Sequence, residues 1–265
     1  MKVVLTIAGS DCSGGAGIQA DLKTMCAHGV YGMSAITALT AQNTLGVKEI
    51  IKTPPEFLAR QIEMCLSDIP CDAVKIGMLS SADQVLSVAK ALKGQTSPNI
   101  VLDPVMVSSS GTRLMDEETI EALEAVLFPM CRLITPNIPE AKELTDMDIN
   151  DSEDMKKACL ALYEAYGAPI LLKGGHLQTS ALDILFDGDS FFTYEEEMLT
   201  SNNTHGTGCT LSSAIASNLA LGHSLNDSVK RAKAYITDAI KMAPGLGHGS
   251  GPLNHCVDPI DTKLL

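Results

Sequence analysis

The most constraining feature of this chain is a regular alternation of short apolar runs with stretches of helical spacing. The runs at 3–8, 35–40, 73–77, 100–103, 133–135, 170–173 and 184–186 are apolar along most of their length. A strand that is apolar on both sides must be covered on both sides. Between the runs, apolar residues recur about one helical turn apart: Ile18, Leu22 and Met25; Leu58, Ile62 and Cys65; Val85, Val88 and Leu92; Leu211, Ile215 and Leu219. This pattern predicts an α/β fold built on a single doubly wound, mostly parallel sheet with helices on both faces. No linker, repeat or low-complexity stretch interrupts it, so the 265 residues read as one domain, 1–265. The segment 187–199 reads as a local hairpin, because Asp187-Gly188 is a turn signal.

Three predicted strands end in a polar residue: Asp103, Asn137 (after Thr135-Pro136) and Lys173. In open parallel sheets, ligands bind in the crevice beyond the carboxyl ends of the strands. An acid, an amide and a lysine on that one edge are complementary in chemistry. Asn137 and Glu140 bracket the start of a helix and read as a cap and a first-turn acid. The same amide and carboxylate suit a hydrated Mg²⁺, and Asp103 suits a cation or phosphates. Lys173 ends a buried strand and needs a partner, for which a nucleotide phosphate would serve.

The segment Asn203-Thr204-His205-Gly206-Thr207-Gly208-Cys209 precedes a long apolar helical run. Two glycines and a small hydroxyl residue at a helix entrance let backbone N–H groups converge on one point. With the helix dipole behind them they make an anion site. Cys209 falls in the first turn, where the same field favours a thiolate. An anion hole beside an activatable side chain suits transfer of a phosphoryl group. A turn into a helix with a buried cysteine would look the same in this segment alone.

The first loop, 9–17, is rich in glycine and contains Gly15-Ala16-Gly17-Ile18-Gln19-Ala20, a match to the dinucleotide pattern. The following strand, however, ends in Gln42 and Asn43 with no acid, and no Gly-Lys-Ser/Thr is present. The loop reads as the wall of a small-substrate site or as a flexible turn. Met78, just past a strand end, is placed to line such a pocket with its soft thioether. His176 and His205 lack metal-ligand spacing and read as loop hydrogen-bonders.

A net charge of −13 argues against nucleic acid or an anionic membrane as a partner, and 4% aromatic residues with no Trp argue against a base-stacking platform. Eight dispersed cysteines without a Cys-x-x-Cys pair read as reduced thiols of a cytoplasmic protein. A thiol redox enzyme would need a resolving cysteine close by. The expected partner is a small molecule.

Eight segments taken in order resemble the ribokinase-like superfamily. Within it they resemble the hydroxymethylpyrimidine/phosphomethylpyrimidine kinases of thiamin biosynthesis. The segments are LTIAGSDCSGGAGIQADLKT, ITALTAQNTLGV, VKIGML, VLDPVM, LITPNIPEA, LLKGGH, NTHGTGCTLSSAIA and GHGSGP. The resemblance implies transfer of the ATP γ-phosphate, with Mg²⁺, to the hydroxymethyl group of an aminopyrimidine and then to its monophosphate. It implies that Gly206, Thr207 and Gly208 form the anion hole and that Cys209 stands where most of the superfamily has an aspartate base. Gly9, Asp21, Gln42, Met78 and Val105 match positions near the pyrimidine. Asp103, Asn137 and Glu140 match the Mg²⁺–phosphate region. Lys173, with Asn137, Thr204 and His205, matches the nucleotide side. Thr40, beside the substrate positions, departs from the valine common in relatives. The resemblance also implies a homodimer. The rival readings are a pyridoxine/pyridoxal/pyridoxamine kinase of the same fold and a non-catalytic nucleotide- or pyrimidine-binding regulator, which would have little use for a base.

Overall fold

A computed structural model describes residues 1–94, 99–107, 113–175, 181–196, 199 and 201–259. Among them one sheet has the order β3-β2-β1-β4-β5-β6-β7-β8-β9. Its strands are β1 (Val3–Asp11), β2 (Tyr31–Asn43), β3 (Gly46–Lys52), β4 (Ala73–Ile76), β5 (Ile100–Leu102), β6 (Leu133–Ile134), β7 (Ile170–Lys173), β8 (Ala181–Phe186) and β9 (Phe191–Glu196). The run β2-β1-β4-β5-β6-β7 is parallel, while β3 and the β8–β9 pair are antiparallel edges. The helices are α1 (Gly17–Ala27), α2 (Pro55–Asp68), α3 (Ala82–Leu92), α4 (Glu117–Ala122), α5 (Ile138–Thr145), α6 (Ser152–Tyr166), α7 (Thr207–Ala220) and α8 (Leu225–Lys241).

Strand alternation divides the apolar residues between two cores. Leu5, Ile7, Leu102, Ile134 and Leu172 pack with Leu58, Ile62, Val85, Val88 and Leu162 of α2, α3 and α6. Their neighbours Val4, Val101, Leu133 and Leu171 pack on the other face with Met25 of α1, Ile215 of α7 and Val229 of α8. Both faces are thus covered, as the doubly wound reading requires. Helix α7 is buried from Thr210 through Ala220. It packs between the sheet and α8, which leaves it no exposed face over this stretch.

Three strands differ from the sequence expectation. Strand β3 is absent from the apolar runs, because an edge strand with Lys48, Glu49 and a largely exposed Ile51 carries no continuous apolar signal. Strands β1 and β2 run on past Ala8 and Thr40, through a register shift between Ala8 and Ser10. The hairpin expected at 187–199 lies earlier in the chain: its arms are β8 and β9, and 187–190 is its turn, where Asp187 Oδ1 accepts from the N–H groups of Asp189 and Ser190 at 3.0 and 2.9 Å. Residues 197, 198 and 200 lie outside the described set, as does His176.

Because the central strands are parallel, their carboxyl ends share one edge. The amino end of α7 rises to the same edge, and the cavity lies there.

Candidate active site

A cavity of about 700 Å³ opens beyond the strand ends. Gly9, Gln42, Met78 and Val105 line one part of it, Asp103, Asn137, Glu140 and Lys173 another, and Thr204 through Cys209 a third. Met78 closes against Gly9: a side chain at Gly9 would lie 3.0 Å from the Met78 methyl carbon. Thr40 also borders the cavity, its hydroxyl donating to the Ser10 carbonyl at 2.9 Å.

Gly206 caps α7 in the left-handed region, with φ of 83°, and a Cβ there would run into the Gly15 carbonyl. Only glycine lets the chain enter the helix this close to the first loop. The Thr207 N–H and hydroxyl both donate to the Thr204 carbonyl, at 3.2 and 2.7 Å. The N–H groups of Gly208 and Cys209 precede any acceptor inside the helix, and the first turn has no acidic residue. A Cβ on Gly208 would sit 3.0 Å from Asp103 Oδ2 and 3.4 Å from Lys173 Nζ, so this backbone faces the polar strand ends directly.

Cys209 occupies the first turn of α7 as expected, but its thiol does not ionise as the helix dipole alone would suggest. Burial pushes it up, and the Asp21 and Asp103 carboxylates add to that. The Lys75 ammonium and a bond from the Gly17 N–H oppose the rise without cancelling it. Desolvation outweighs the dipole here.

Asp21 corrects the reading that placed it against the substrate. It is fully buried and does not line the cavity. Its carboxylate accepts from Thr6 Oγ1 at 2.6 Å, Ser213 Oγ at 2.7 Å and Lys75 Nζ at 2.9 and 3.0 Å. Ser213 lies one turn below Cys209 on α7, so the Asp21–Lys75 pair stands beneath the cysteine.

Lys173 has the partner a buried lysine needs, but on the protein: its ammonium lies 2.6 Å from Asp103 Oδ1. Thr135 Oγ1 donates to the same oxygen at 3.1 Å. Burial works against this ammonium, and Asp103 and Glu140 outweigh it, so its pKa is raised. Asn137 and Glu140 form the reciprocal cap of α5: the Glu140 N–H donates to Asn137 Oδ1 at 2.9 Å, and the Asn137 N–H donates to Glu140 Oε2 at 2.8 Å. Burial pushes the Glu140 carboxyl up to about 7, the Asp103 charge adds to this, and Lys173 opposes it. No group of three or more His, Cys, Asp or Glu that could hold a metal occurs among the described residues. Two carboxylates do share one lysine, which leaves excess negative charge when both ionise. That donor set fits a largely hydrated divalent ion carried by phosphates.

The first loop is not a flexible turn. Asp11, which sequence reasoning passed over, organises it by accepting from Ser13 N–H and Oγ, both at 2.8 Å, and from Gly15 and Ala16 N–H at 3.1 and 2.9 Å. An aspartate two residues before Ser13-Gly14-Gly15 is an Asx-turn signal and would have found it. His205 Nε2 reaches Asp11 Oδ2 at 2.8 Å and the Gln42 amide at 3.0 Å. This ties His205 to the first loop and to Gln42, the residue expected near the pyrimidine. Burial resists ionisation of Asp11, but the bonds from His205, Ser13 and Ala16 prevail and hold its carboxyl at about 2.

Sequence reasoning also missed an apolar part of the cavity made by Leu199, Leu211, Ile236 and Ile240, beside a Lys233–Asp183 ion pair. The α8 residues sit on one helical ridge that reads as ordinary core, so no local signal marks them.

The phosphomethylpyrimidine kinase family profile matches residues 11–254. The chain belongs to the phosphomethylpyrimidine kinase family. Over 261 residues, 98% of its length, it is 49% identical to the thiamine biosynthesis bifunctional protein ThiED of Geobacter sulfurreducens. It spans only 53% of that protein. The crystal structure of phosphomethylpyrimidine kinase from Clostridium difficile 630 is 47% identical, with a TM-score of 0.82 over 91% of this chain and 100% of that one. The pyridoxal kinase of Staphylococcus aureus, solved with AMP-PCP and pyridoxal, is 34% identical, with a TM-score of 0.88 over 97% of this chain and 94% of that one. The ribokinase-like kinases thus share this chain's single, mostly parallel sheet.

Proposed function

We propose that this phosphomethylpyrimidine kinase family member transfers the γ-phosphoryl group of ATP to the hydroxymethyl group of an aminopyrimidine, and then to the resulting monophosphate, in thiamin biosynthesis. The observation that carries this reading is the meeting of three things in one cavity: the free N–H groups at the start of α7, a wall of Gly9, Gln42, Met78 and Val105, and the Asp103–Lys173–Glu140 cluster. The wall takes a flat ring, with Met78 against its face and Gln42 at its edge. The Gly208 and Cys209 N–H groups hold the transferring phosphoryl, whose charge lies on its equatorial oxygens. One preorganised donor in a comparable anion hole is worth roughly 3 kcal/mol. Lys173 neutralises the ATP phosphates beside Asp103.

As the acceptor oxygen bonds the γ-phosphorus, its proton passes to Cys209 Sγ and the phosphorus–oxygen bond to ADP breaks. Burial disfavours the thiolate this requires, so Lys75 below and Lys173 above must offset the cost. Asp103, Glu140 and Asn137 would hold Mg²⁺, which screens charge between the phosphates when bound. The apolar part at Leu199, Ile236 and Ile240 suits the adenine ring.

No described helix is long and apolar enough to cross a membrane. The reading is of a cytoplasmic enzyme acting on small molecules. Leu39, Leu45, Ile51 and Phe57 are exposed around the β3 edge, which supports a homodimer. Phosphorylation of a pyridoxal-type vitamer is the second reading, favoured by the likeness to the pyridoxal kinase. ADP release with hydroxymethylpyrimidine, its monophosphate and pyridoxal decides. Turnover of the first two is expected. Absence of ADP above background with both would refute the function, and a tenfold preference for pyridoxal in kcat/KM would transfer it to the second reading.

A further inference from the structure

The bond between Asp11 and His205 joins residues 194 positions apart, and both side chains are buried. His205 Nε2 has two polar neighbours, Asp11 Oδ2 at 2.8 Å and the end of the Gln42 amide at 3.0 Å. A carboxylate only accepts. Four further donors from Ser13, Gly15 and Ala16 converge on Asp11, so it is the ionised form that the loop holds. The proton between Asp11 and His205 therefore sits on Nε2 and points at Asp11.

That assignment decides the Gln42 amide. With a proton on Nε2 there is no lone pair left for an amide N–H₂, and two donors face to face repel. The two ends of a carboxamide are nearly the same shape. Turning the amide by half a turn puts its oxygen at the same 3.0 Å and completes a three-centre bond from the ring N–H. The N–H₂ end then faces the cavity, which Gln42 lines.

We propose that Asp11 and His205 are positioning residues for acceptor selection: through the imidazole they lock Gln42 with its N–H₂ toward the cavity, so that the site selects a ring presenting a hydrogen-bond-accepting nitrogen at that edge. This rests on the reading that the acceptor ring lies against Gln42. The rival is a clasp that merely ties the first loop to the α7 entrance. A clasp would lower all acceptors alike, whereas an oriented donor discriminates between rings.

Two measurements test this on the full chain. Long-range proton–nitrogen NMR reads the His205 ring, and a proton on Nε2 is expected in either its neutral or its charged form. A lone pair on Nε2 would overturn the proposal whatever the enzyme turns over. The second is the ratio of kcat/KM for hydroxymethylpyrimidine to that for the analogue with C–H in place of the ring nitrogen at this edge. One neutral hydrogen bond gives a wild-type ratio of about tenfold. In His205→Leu the ratio should fall toward one with the ATP KM unchanged. In His205→Gln, whose amide N–H₂ can donate to both Asp11 and Gln42, it should recover. A ratio that survives in His205→Leu would leave only the clasp and refute the selection role. If the wild type phosphorylates neither ring, the function fails separately; calorimetric binding of the same two rings then supplies the ratio, and equal affinities would refute the proposal.

Discussion

Replacing Lys75 with methionine should strip the counter-charge from a carboxylate that has no access to water. Lys75 and Asp21 are both 0% exposed, and their closest approach is 2.9 Å. Breaking a buried pair from one side costs about 3–5 kcal/mol, because the remaining charge stays uncompensated. Thr6 and Ser213 still donate to Asp21, which keeps the loss toward the lower end. Against a total of roughly 5–15 kcal/mol for a folded domain, that is a large part of the stability. Burial works against the Lys75 ammonium, but Asp21 holds its pKa above the usual 10.5, so the pair's contribution is present at neutral pH and is lost only as alkali titrates the lysine. Urea unfolding at neutral pH measures the cost. The double variant Asp21→Leu/Lys75→Met should recover most of it, since an apolar pair of similar volume leaves no charge behind. The same variants report on Cys209. Lys75 opposes the upward shift of that thiol and Asp21 adds to it. Alkylation of the Cys209 peptide, followed by mass spectrometry against pH, should therefore show a raised thiol pKa in Lys75→Met and a lowered one in Asp21→Asn. Each pKa unit is about tenfold in thiolate at a fixed pH well below the pKa. Lys75→Met within 1 kcal/mol of wild type, or both variants moving the thiol the same way, would refute the reasoning.

Cys209→Ala should lose roughly 10²–10⁴-fold in turnover with acceptor binding intact, and Cys209→Asp should keep more activity with a shifted pH–rate profile; near-silent alanine with harmful aspartate would make the cysteine a packing residue. Gly206→Ala should cost at least about 1 kcal/mol in unfolding from the left-handed backbone alone, and about 10²-fold in turnover as the Gly208 and Cys209 donors move; steady-state kinetics beside chemical denaturation checks both. Glu140→Gln keeps an oxygen for the Asn137 N–H, so the α5 cap should survive. Burial raises the native carboxyl from 4.5 to about 7, so wild-type stability falls as pH rises through that window. Thermal unfolding in metal-free buffer should find the glutamine variant the more stable above it, while turnover needs more Mg²⁺. Asp11 titrates the other way: with a native value of about 2 against 3.8, its stabilisation is complete above the higher value and disappears as pH falls through the lower. Acid unfolding curves for Asp11→Asn should lack that limb.

Much of this molecule follows from short-range pattern. Runs such as Ile100-Val101-Leu102, recurring between helical stretches, read as strands covered on both sides, and the spacing of Val85, Val88 and Leu92 reads as a helix covering one face. Together these force the doubly wound sheet, and a parallel sheet collects its strand ends on one edge. Asp103, Asn137 and Lys173 were therefore readable as neighbours before any coordinate. So was the α7 entrance, because Gly206-Thr207-Gly208 has a local backbone purpose.

Partnership across the chain was not readable in this way. Lys75 finds Asp21, His205 finds Asp11 and Gln42, and Lys233 finds Asp183 only once the sheet and helices are packed. Each of these pairs is bound by a contact whose sequence separation carries no periodic signal. Strand β3 is similarly silent, since an edge strand needs no continuous apolar run. Desolvation is the other quantity that only packing sets. A helix amino end predicts a thiolate at Cys209 and a surface cap predicts an ordinary acid at Glu140, yet enclosure raises both groups. The sequence by itself determined that Asp103, Asn137, Lys173 and the α7 entrance meet at the cavity edge; the tertiary structure alone decided what else joins them and how far each is removed from water, and through that its charge.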